Sequence, residues 1–287
     1  MEVKHFFDQD TFTLTYVVWD EATKDGVIID SLMNYDPATS TYTHKSIDEA
    51  TEFIKEKGIN LHYIIDSHPH ADHLTGSQEL KKRFPNAKTV IGNGVTTVQK
   101  AFKEFFNLEK NFAVDGSQFD KLIEDNEVLK AGSLEIKALH APGHTPACYA
   151  LLIEDAVFTG DILFMPDFGT GRCDFPKGDA EALYDSIQNK LYTLPDETRL
   201  FTGHDYQPGG RELMFESTIG EAKKNNVQIK ADTTKEDFVK FRTERDAVLN
   251  APRLLLPSIE VNINAGNLPE ADDNGVSYLK IPIRPKS

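Results

Sequence analysis

The chain has 287 residues, of which 39% are hydrophobic and 27% are charged, so we expect a folded domain with a substantial core rather than a disordered chain. The 46 acidic residues outnumber the 31 basic ones and give a formal net charge of −15, which argues against a nucleic-acid or anionic-membrane surface. With two cysteines, the chain is not expected to have a disulfide framework, and without a run of about twenty apolar residues it is not expected to span a membrane. The N-terminus shows no apolar signal segment, so we expect a cytoplasmic protein.

The predicted elements begin with a hairpin, which is followed by a loop and a buried strand. Residues 12–19 alternate in polarity and residues 26–30 form a second β-branched run, and the turn that joins them predicts two antiparallel strands. The polar stretch 34–44 predicts a loop. The apolar run 61–66 predicts a buried strand, and a helical pattern opens at Leu74.

Two predicted helices have recognisable ends. Residues 46–57 begin with Ser46 in a capping-box pattern and are followed by Gly58, which predicts the C-terminal cap. Residues 179–192 begin with Asp179 as an N-cap and carry an apolar stripe. The other predicted elements are helices over 95–106, 212–224 and 234–249 and strands over 88–91, 132–139, 149–158, 199–202 and 276–283. Because strands come first as hairpins and then alternate with helices, we expect an α/β (α+β) fold with a mixed sheet and outer helices.

A histidine-rich turn follows directly after the predicted strand at 61–66. It carries four potential metal ligands, His68, His70, Asp72 and His73. Open α/β sheets place their ligand sites at the carboxyl ends of strands, and a set of imidazoles and carboxylates suits zinc, iron or manganese. The alternative is a surface turn that is rich in histidine by chance, but a His-x-His-x-Asp-His pattern after a buried strand is uncommon.

Three further turns share one layout, in which a strand ends, a glycine follows and a potential metal ligand comes next. The three ligands are His144, Asp161 and His204. The glycine before each ligand permits tight backbone geometry near a site. Taken singly, Gly-His and Gly-Asp are ordinary turn pairs, but together with the first cluster they form an ordered set that predicts one shared metal site.

The order of these ligands resembles that of the metallo-β-lactamase superfamily over roughly residues 1–210. The resemblance implies a four-layer αβ/βα sandwich of two mixed sheets with outer helices. Residues 211–287 would then form a C-terminal extension of helices and strand that packs on this core as a single structural unit. The implied ligands of a first metal are His68, His70, His144 and Asp161, and those of a second metal are Asp72, His73 and His204, which share Asp161.

Finer motifs resemble the persulfide dioxygenase (sulfur dioxygenase) family, and specifically its bacterial branch. These motifs lie at 159–164, 171–175, 203–206, 252–254 and 265–269. The long insert between Tyr206 and Arg253 departs from the shorter members of that family.

The family resemblance implies one non-haem iron(II) ion per chain, held by His68, His144 and Asp161. Two imidazoles and one carboxylate are the facial triad of iron oxygenases, which leaves positions open for dioxygen and substrate. The neighbouring side chains would orient water and substrate, and they are His70, Asp72, His73 and His204. The implied reaction oxidises glutathione persulfide with O2 to sulfite and glutathione, and the family also suggests a homodimer.

Three residues near these motifs are predicted to bind substrate. Arg253 would clamp a carboxylate of glutathione bidentately, and Tyr206 would donate its hydroxyl to another part of the molecule. Arg172 would either contact the substrate or form a buried pair with Asp174 that shapes the pocket.

The main alternative is a glyoxalase II-like hydroxyacylglutathione hydrolase. It would use the same ligands with two metal ions, such as zinc, in each chain and would attack a thioester with a bridging hydroxide. The motifs at 171–175 and 252–254 argue against this alternative. A non-enzymatic module that buffers metal or binds glutathione is less consistent with ligands on a turn that leave coordination positions open.

Overall fold

The structure is a computed structural model that describes residues 1–283 and 285 of the chain. Its strands are β1 Glu2–Asp8, β2 Thr13–Trp19, β3 Asp25–Ile29, β4 Leu32–Asp36, β5 Thr41–Thr43, β6 Asn60–Ile65, β7 Leu74–Thr75, β8 Lys88–Gly92, β9 Lys121–Ile123, β10 Val128–Ala131, β11 Leu134–His140, β12 Tyr149–Ile153, β13 Ala156–Phe158, β14 Arg199–Phe201 and β15 Glu216–Thr218. Its helices are α1 Lys45–Lys57, α2 Ser77–Arg83, α3 Val95–Phe106, α4 Ala180–Asn189, α5 Ile219–Asn225, α6 Lys235–Asp246 and α7 Leu255–Asn262. Among the described residues, no helix has the length and apolar character needed to cross a lipid bilayer.

The strands form two six-stranded mixed sheets and one small sheet. The first sheet has the order β1-β2-β3-β6-β8-β9, in which the first three strands are antiparallel and the rest run parallel to β3. The second has the order β10-β11-β12-β13-β14-β15 and is antiparallel except for the parallel pair β13–β14. The small sheet joins β5, β4 and β7.

The core lies between the two large sheets. Leu14 and Tyr16 of β2 pack in one fully buried cluster with Ile136, Leu151 and Phe158 of the second sheet. The alternating polarity of residues 12–19 therefore corresponds to a strand, β2, that has one face in this central layer. Burial of each such side chain contributes about 1.5–3 kcal/mol.

Helices cover the outer face of each sheet. Ile54 of α1 packs against Ile28 of β3, and Leu183 of α4 and Phe238 of α6 pack in one buried cluster with Val157 of β13. Two sheets packed face to face with helices outside confirm the predicted four-layer αβ/βα sandwich.

Several predicted elements are confirmed closely. The helix predicted over 95–106 is α3, and Asp179 caps α4 because its side chain accepts hydrogen bonds from the backbone N–H groups of Glu181 and Ala182. Gly58 ends α1 with a left-handed φ of 66°, as its position predicted.

The region before and around α1 differs from the prediction. The stretch 34–44 is not a loop, because β4 and β5 pair there as a hairpin. Ser46 is not the N-cap of α1, which begins at Lys45 after His44, and no side-chain cap is present. The backbone N–H of Ser46 instead donates to Oδ1 of Asn34 at 2.9 Å, so a side chain of β4 provides a partner for one free N–H group of the first helical turn. The helical pattern at Leu74 likewise begins three residues later, because Leu74 and Thr75 pair with β4 as β7.

The C-terminal part contains the larger errors of prediction. The helix predicted over 212–224 is wrong in its first half, where β15 pairs with β14, and α5 begins only at Ile219. The strand predicted over 276–283 is also wrong, since this segment pairs with no strand of the described chain beyond a single bridge at Ser277. The helix α7 was not predicted. The division of the chain at residue 210 remains a prediction, and residues 284, 286 and 287 of the predicted extension lie outside the described residues.

Candidate metal centre

The predicted ligands meet at one edge of the sandwich, at the carboxyl ends of four strands. The histidine-rich turn follows β6, and His144, Asp161 and His204 follow β11, β13 and β14 respectively. The turns also bond to one another, since the N–H of Gly203 donates to the carbonyl of Gly160 at 3.0 Å. Within the second sheet this convergence follows from strand direction, because β11, β13 and β14 run the same way and end at the same edge, and β6 of the first sheet ends beside them.

Two of the glycines that precede ligands are needed for this close approach. Gly160 has a φ of 49°, in the left-handed region that favours glycine. At Gly203, a Cβ atom would lie 2.8 Å from the carbonyl carbon of Gly160 and 2.9 Å from Oδ1 of Asp161. The glycine next to the ligand is therefore required by backbone conformation at Gly160 and by packing at Gly203.

His68, His144 and Asp161 form the first cluster of potential ligands. Oδ2 of Asp161 lies 3.8 Å from Nε2 of His68 and 3.6 Å from Nε2 of His144. Metal–ligand bonds of about 2.0–2.2 Å place neighbouring ligand atoms roughly 3–4 Å apart, so both of these contacts of Asp161 have the spacing that one ion requires. Nε2 of His68 is buried and has no hydrogen-bond partner among the described residues, as expected of a metal ligand.

Hydrogen bonds orient both imidazoles of this cluster. Nδ1 of His144 lies 2.7 Å from the carbonyl oxygen of Arg172, and Nδ1 of His68 lies 3.0 Å from Oγ of Ser67. A carbonyl oxygen can only accept, so Nδ1 of His144 carries the proton and its Nε2 is free to bind a metal. Burial is the main cause of the lowered pKa of His68, which favours the neutral ligand form.

His70, Asp72 and His73 form a second cluster next to the first. Oδ2 of Asp72 lies 3.3 Å from Nδ1 of His73, and 3.3 Å from Nε2 of His204. Nδ1 of His70 and Nε2 of His73 are buried and have no partner among the described residues. Nε2 of His204 also lies 3.3 Å from Oδ1 of Asp161, which links the two clusters.

The charged groups in and beside the second cluster shift one another's pKa values. Burial would raise the pKa of Asp72, but His204 and His73 outweigh burial and hold it well below its usual range. Burial would lower the pKa of His204, but Asp161 and Asp72 outweigh burial and raise it. His204 therefore holds a proton more readily than a free histidine does.

Asp30 is a site residue that the sequence reasoning recognised only as the end of a strand. Its carboxylate accepts from the N–H and the hydroxyl of Ser67 at 2.6 and 2.8 Å and faces Nε2 of His70 at 3.1 Å. Burial would lower the pKa of His70, but Asp30 outweighs burial and raises it to about 9. The signal was a carboxylate directly after a buried strand, which is the same layout that identified the other ligands.

Asn262 is a second residue that the sequence reasoning missed. Its side-chain amide donates to the carbonyls of His70 and His73 at 2.8 Å each, and its oxygen accepts from the N–H of Thr75 at 2.9 Å. Asn262 ends α7 and is 2% exposed, so three buried hydrogen bonds fix the histidine-rich turn to the C-terminal region. The sequence carries no local signal for this contact.

A cleft of about 340 Å³ opens onto the first cluster, and His144 and Asp161 are part of its wall. The three residues that were predicted to bind substrate, Tyr206, Arg172 and Arg253, also line it. Asp72 also lines the cleft, whereas four of the predicted ligands are not part of its lining, namely His68, His70, His73 and His204.

Aromatic rings form one wall of the cleft. Tyr206 stacks on Phe168 with ring centroids 4.7 Å apart and on His204 at 5.4 Å. Burial raises the pKa of Tyr206 well above its usual value, so its hydroxyl stays protonated. This hydroxyl forms no hydrogen bond with any described residue, and it is therefore available to donate to a ligand.

Arg172 is engaged by neighbouring residues. Its Nε and Nη2 donate to the two carboxylate oxygens of Asp174 at 2.5 and 2.6 Å, and its Nη1 donates to the carbonyl of Asn250 at 2.7 Å. The predicted pair of Arg172 and Asp174 is thus present, although it is partly exposed rather than buried.

The insert between Tyr206 and Arg253 braces the segment that carries Arg172. Arg242 is 2% exposed and donates to Asp246 and, at 3.0 Å, to Oε1 of Gln228. Oδ2 of Asp246 accepts from the N–H of Cys173 at 2.7 Å, and Gln228 accepts from the N–H of Thr170 at 3.0 Å. The insert therefore fixes the backbone on both sides of the carbonyl that orients His144.

Comparisons with known proteins show the superfamily to which the chain belongs. Residues 9–204 match the sequence model of the metallo-beta-lactamase superfamily. A Dictyostelium discoideum protein named Glyoxylase B2 is 48% identical and aligns over 98% of this chain and 97% of its own length. The human protein named persulfide dioxygenase ETHE1, mitochondrial, is 30% identical over 83% of this chain and 79% of its own length. The crystal structure of ETHE1 from Myxococcus xanthus is 30% identical, covers 93% of this chain and 100% of its own, and superposes with a TM-score of 0.74.

Proposed function

The chain belongs to the metallo-β-lactamase superfamily, and we propose that it is a glutathione-dependent persulfide dioxygenase that holds one iron(II) ion per chain. The observation that carries the proposal is the cluster of His68, His144 and Asp161, whose potential ligand atoms all lie within 4.8 Å of one another beside an open cleft. Two imidazoles and a carboxylate on one face are the ligand set of non-haem iron oxygenases. The similarity to proteins named persulfide dioxygenase at about 30% identity supports the same proposal.

The proposed reaction converts glutathione persulfide, O2 and water into glutathione, sulfite and two protons. The sulfur–sulfur bond breaks, the terminal sulfur is oxidised, and dioxygen is reduced and incorporated into sulfite together with the oxygen of water. Iron(II), when bound, would supply the one-electron chemistry that the reaction of dioxygen requires.

The remaining residues of the chain would position groups around this reaction. Arg253 would bind a carboxylate of glutathione, and Tyr206 would donate its free hydroxyl to the same ligand. His204, whose Nε2 lies 3.3 Å from Oδ2 of Asp72, would hold the proton that the departing glutathione thiolate takes up. Asp72 and His73 would orient the water molecule that the reaction consumes.

A dinuclear thioester hydrolase is the second candidate, and specific observations favour it. Nδ1 of His70 and Nε2 of His73 are buried without partners among the described residues, and a second metal ion would satisfy both. A relative that is 48% identical is named Glyoxylase B2. Against this candidate, Oδ2 of Asp72 lies 3.3 Å from Nδ1 of His73 and from Nε2 of His204, so these three side chains can hydrogen-bond to one another without a second metal ion.

Oxygen uptake distinguishes the two candidates. The protein would be loaded anaerobically with iron(II), and uptake of O2 would be recorded on addition of glutathione persulfide, with the metal content measured on the same sample. We expect uptake with one iron per chain. Two metals per chain, no uptake and hydrolysis of lactoylglutathione would instead establish the thioesterase.

Substitutions at the first cluster provide the matched test. His68→Ala and Asp161→Ala should each abolish iron binding and O2 uptake, because each removes one of three ligands. His62→Ala is the control, since His62 pairs with Asp25 on the surface and lies outside both clusters. Full iron content and activity in either cluster variant would rule out the proposed centre.

We further propose a cytoplasmic location and a homodimer. Measurement of the size of the protein in solution tests the homodimer.

A further inference from the structure

The arginines in the described part of the chain fall into two groups. Five of the seven form an ion pair with a carboxylate, namely Arg83, Arg172, Arg199, Arg211 and Arg242. Arg245 and Arg253 form no ion pair with a described residue, and both line the cleft. The chain has 46 acidic and 31 basic residues, so most basic side chains can find a carboxylate partner. Two arginines without such a partner at the same cleft therefore stand out from the other arginines.

Arg245 is held in place by its helical neighbours. It belongs to the last turn of α6, and positions 242, 245 and 246 share one face of that helix. Arg242 and Asp246 are 2% and 7% exposed and anchor this face, because Arg242 donates to Oε1 of Gln228 and Asp246 accepts from the N–H of Cys173. The exposed side chain of Arg245 therefore projects from a fixed part of the helix beside the cleft.

Arg253 is held by the linker that follows α6. The linker is tied at Asn250, whose carbonyl accepts from Nη1 of Arg172 at 2.7 Å, and Leu254 is 2% exposed and anchors the next residue in the core. Arg253 is exposed and forms no ion pair with a described residue. Arg253 thus remains available for an external anion.

We propose that Arg245 and Arg253 are a pair of carboxylate-binding residues, so that the cleft selects a thiol carrier with two carboxylates. Arg172 and Arg242 would brace the wall, because aspartates neutralise their charges. The inference deepens the proposed function, in which Arg253 binds one carboxylate, by assigning the second carboxylate to Arg245 and to the insert.

The chemistry of the pair explains the selection. Each guanidinium can donate two parallel hydrogen bonds to one carboxylate, and a hydrogen bond to a charged group is stronger than a neutral one. Glutathione carries one carboxylate at each end, whereas cysteine carries one in total. A carrier with one carboxylate would leave one of the two arginines without a partner, and it would bind more weakly by the loss of that interaction.

Calorimetry with glutathione tests the pair without any turnover. The metal-loaded protein would be titrated with glutathione, with glutathione monoethyl ester, in which the glycine carboxylate is blocked, and with cysteine. Arg245→Gln and Arg253→Gln should each weaken glutathione binding about 10- to 100-fold, as expected for one charged interaction. Arg199→Gln is the control, because Arg199 pairs with Glu216 away from the cleft, and it should bind glutathione normally.

The ester identifies which arginine binds which end of glutathione. It should bind the unsubstituted protein about 10- to 100-fold more weakly than glutathione does. One of the two variants should lose no further affinity for the ester, whereas the other should lose as much as it does for glutathione. Unchanged glutathione affinity in Arg245→Gln, or equal losses for acid and ester in both variants, would overturn the inference.

These outcomes are separate from those that test the reaction. If oxygen uptake is absent but the binding pattern holds, the inference stands for a hydrolase of glutathione thioesters. If uptake is observed and Arg245→Gln binds glutathione normally, the inference is wrong and the proposed reaction survives.

Discussion

Gly171 is the position at which a single added methyl group should disturb the candidate metal centre most directly. A Cβ atom there would lie 2.0 Å from the carbonyl oxygen of Asp161 and 3.4 Å from Cγ of His144. Gly171 does not have a positive φ, so Gly171→Ala introduces the steric overlap without a penalty from backbone conformation. The substitution therefore isolates the packing of this segment against two proposed ligands.

The required displacement can be worked out from these contacts. Real Cβ atoms essentially never lie closer than 3.0 Å to another heavy atom, so the separation must grow by at least 3.0 minus 2.0, or 1.0 Å. Gly171 also precedes Arg172, whose carbonyl orients His144. A misplacement of about 1 Å in a catalytic centre costs on the order of 100-fold in rate, and disturbed outer contacts cost roughly 10- to 100-fold in metal affinity. We expect Gly171→Ala to bind metal about 10- to 100-fold more weakly.

Competition with a chelator measures this loss, and a second glycine supplies the control. At Gly26 a Cβ atom would lie 2.6 Å from Cγ2 of Ile59 and 3.0 Å from the carbonyl of Val18, away from the centre. Gly26→Ala should lower the free energy of unfolding and leave metal affinity unchanged. If Gly171→Ala bound metal as tightly as the unsubstituted protein, the argument that this segment positions the ligands would be refuted.

Three further substitutions test contacts around the centre and in the surface network. Asn262→Ala leaves buried carbonyls of the histidine-rich turn without hydrogen bonds, so it should lower the free energy of unfolding by about 3 kcal/mol in denaturant titrations. It should also weaken metal binding, and unchanged metal affinity would contradict the link between this turn and α7. Arg242→Lys removes the guanidinium that braces residues 168–173. In the zinc-loaded protein, the Nδ1 proton of His144 should then exchange with solvent faster, as measured by NMR. The control Lys235→Gln, on the same helix, should leave this exchange rate unchanged. Hydrogen bonds from His62 and Ser133 lower the pKa of Asp25, so its contribution to stability is present above its unfolded pKa of about 3.9 and is lost as pH falls below it. Asp25→Asn should therefore flatten the acid limb of stability against pH, and an unchanged acid limb would contradict the assignment.

The location of the candidate site could be predicted from the sequence because its ligands follow strands. His144, Asp161 and His204 each come directly after a glycine at the end of a short apolar run, and such runs were recognisable as strands. Since the relevant strands end at one edge, their turns meet there whatever the details of the rest of the fold. Local patterns and strand direction were sufficient for this part.

The residues that fix the ligands could not be predicted in the same way. Asn262 reaches the carbonyl of His70 across 192 positions of the chain, and it ends a helix whose sequence lacks a clear amphipathic pattern. Pro257 and a nearly all-buried surface hide that helix from a reading based on one apolar stripe. Contacts of this kind depend on tertiary packing alone.

The wrong predictions have a related cause. Residues 276–283 alternate as a strand does, but a strand needs a neighbour, and no adjacent edge pairs with this described segment. Residues 34–44 were predicted as a loop because they are polar, yet β4 and β5 pair there, and all three residues of β5 are exposed. Polarity predicts exposure more reliably than it predicts the absence of a strand.

The position of charges along the chain suggests how the superfamily core and the insert divide the work. Every proposed metal ligand precedes residue 205, whereas both unpaired arginines of the cleft, Arg245 and Arg253, follow it. The core ligands are fixed by strand ends, so the insert affects the metal through the brace at Arg242 and Asp246 and through the bond from Arg172 to the carbonyl of Asn250. The arginines, in contrast, reach the cleft without bonding to the core ligands. It follows that replacement of Arg245 and Arg253 should change which thiol carrier binds and leave the bound metal unchanged, whereas a break in the brace should affect both.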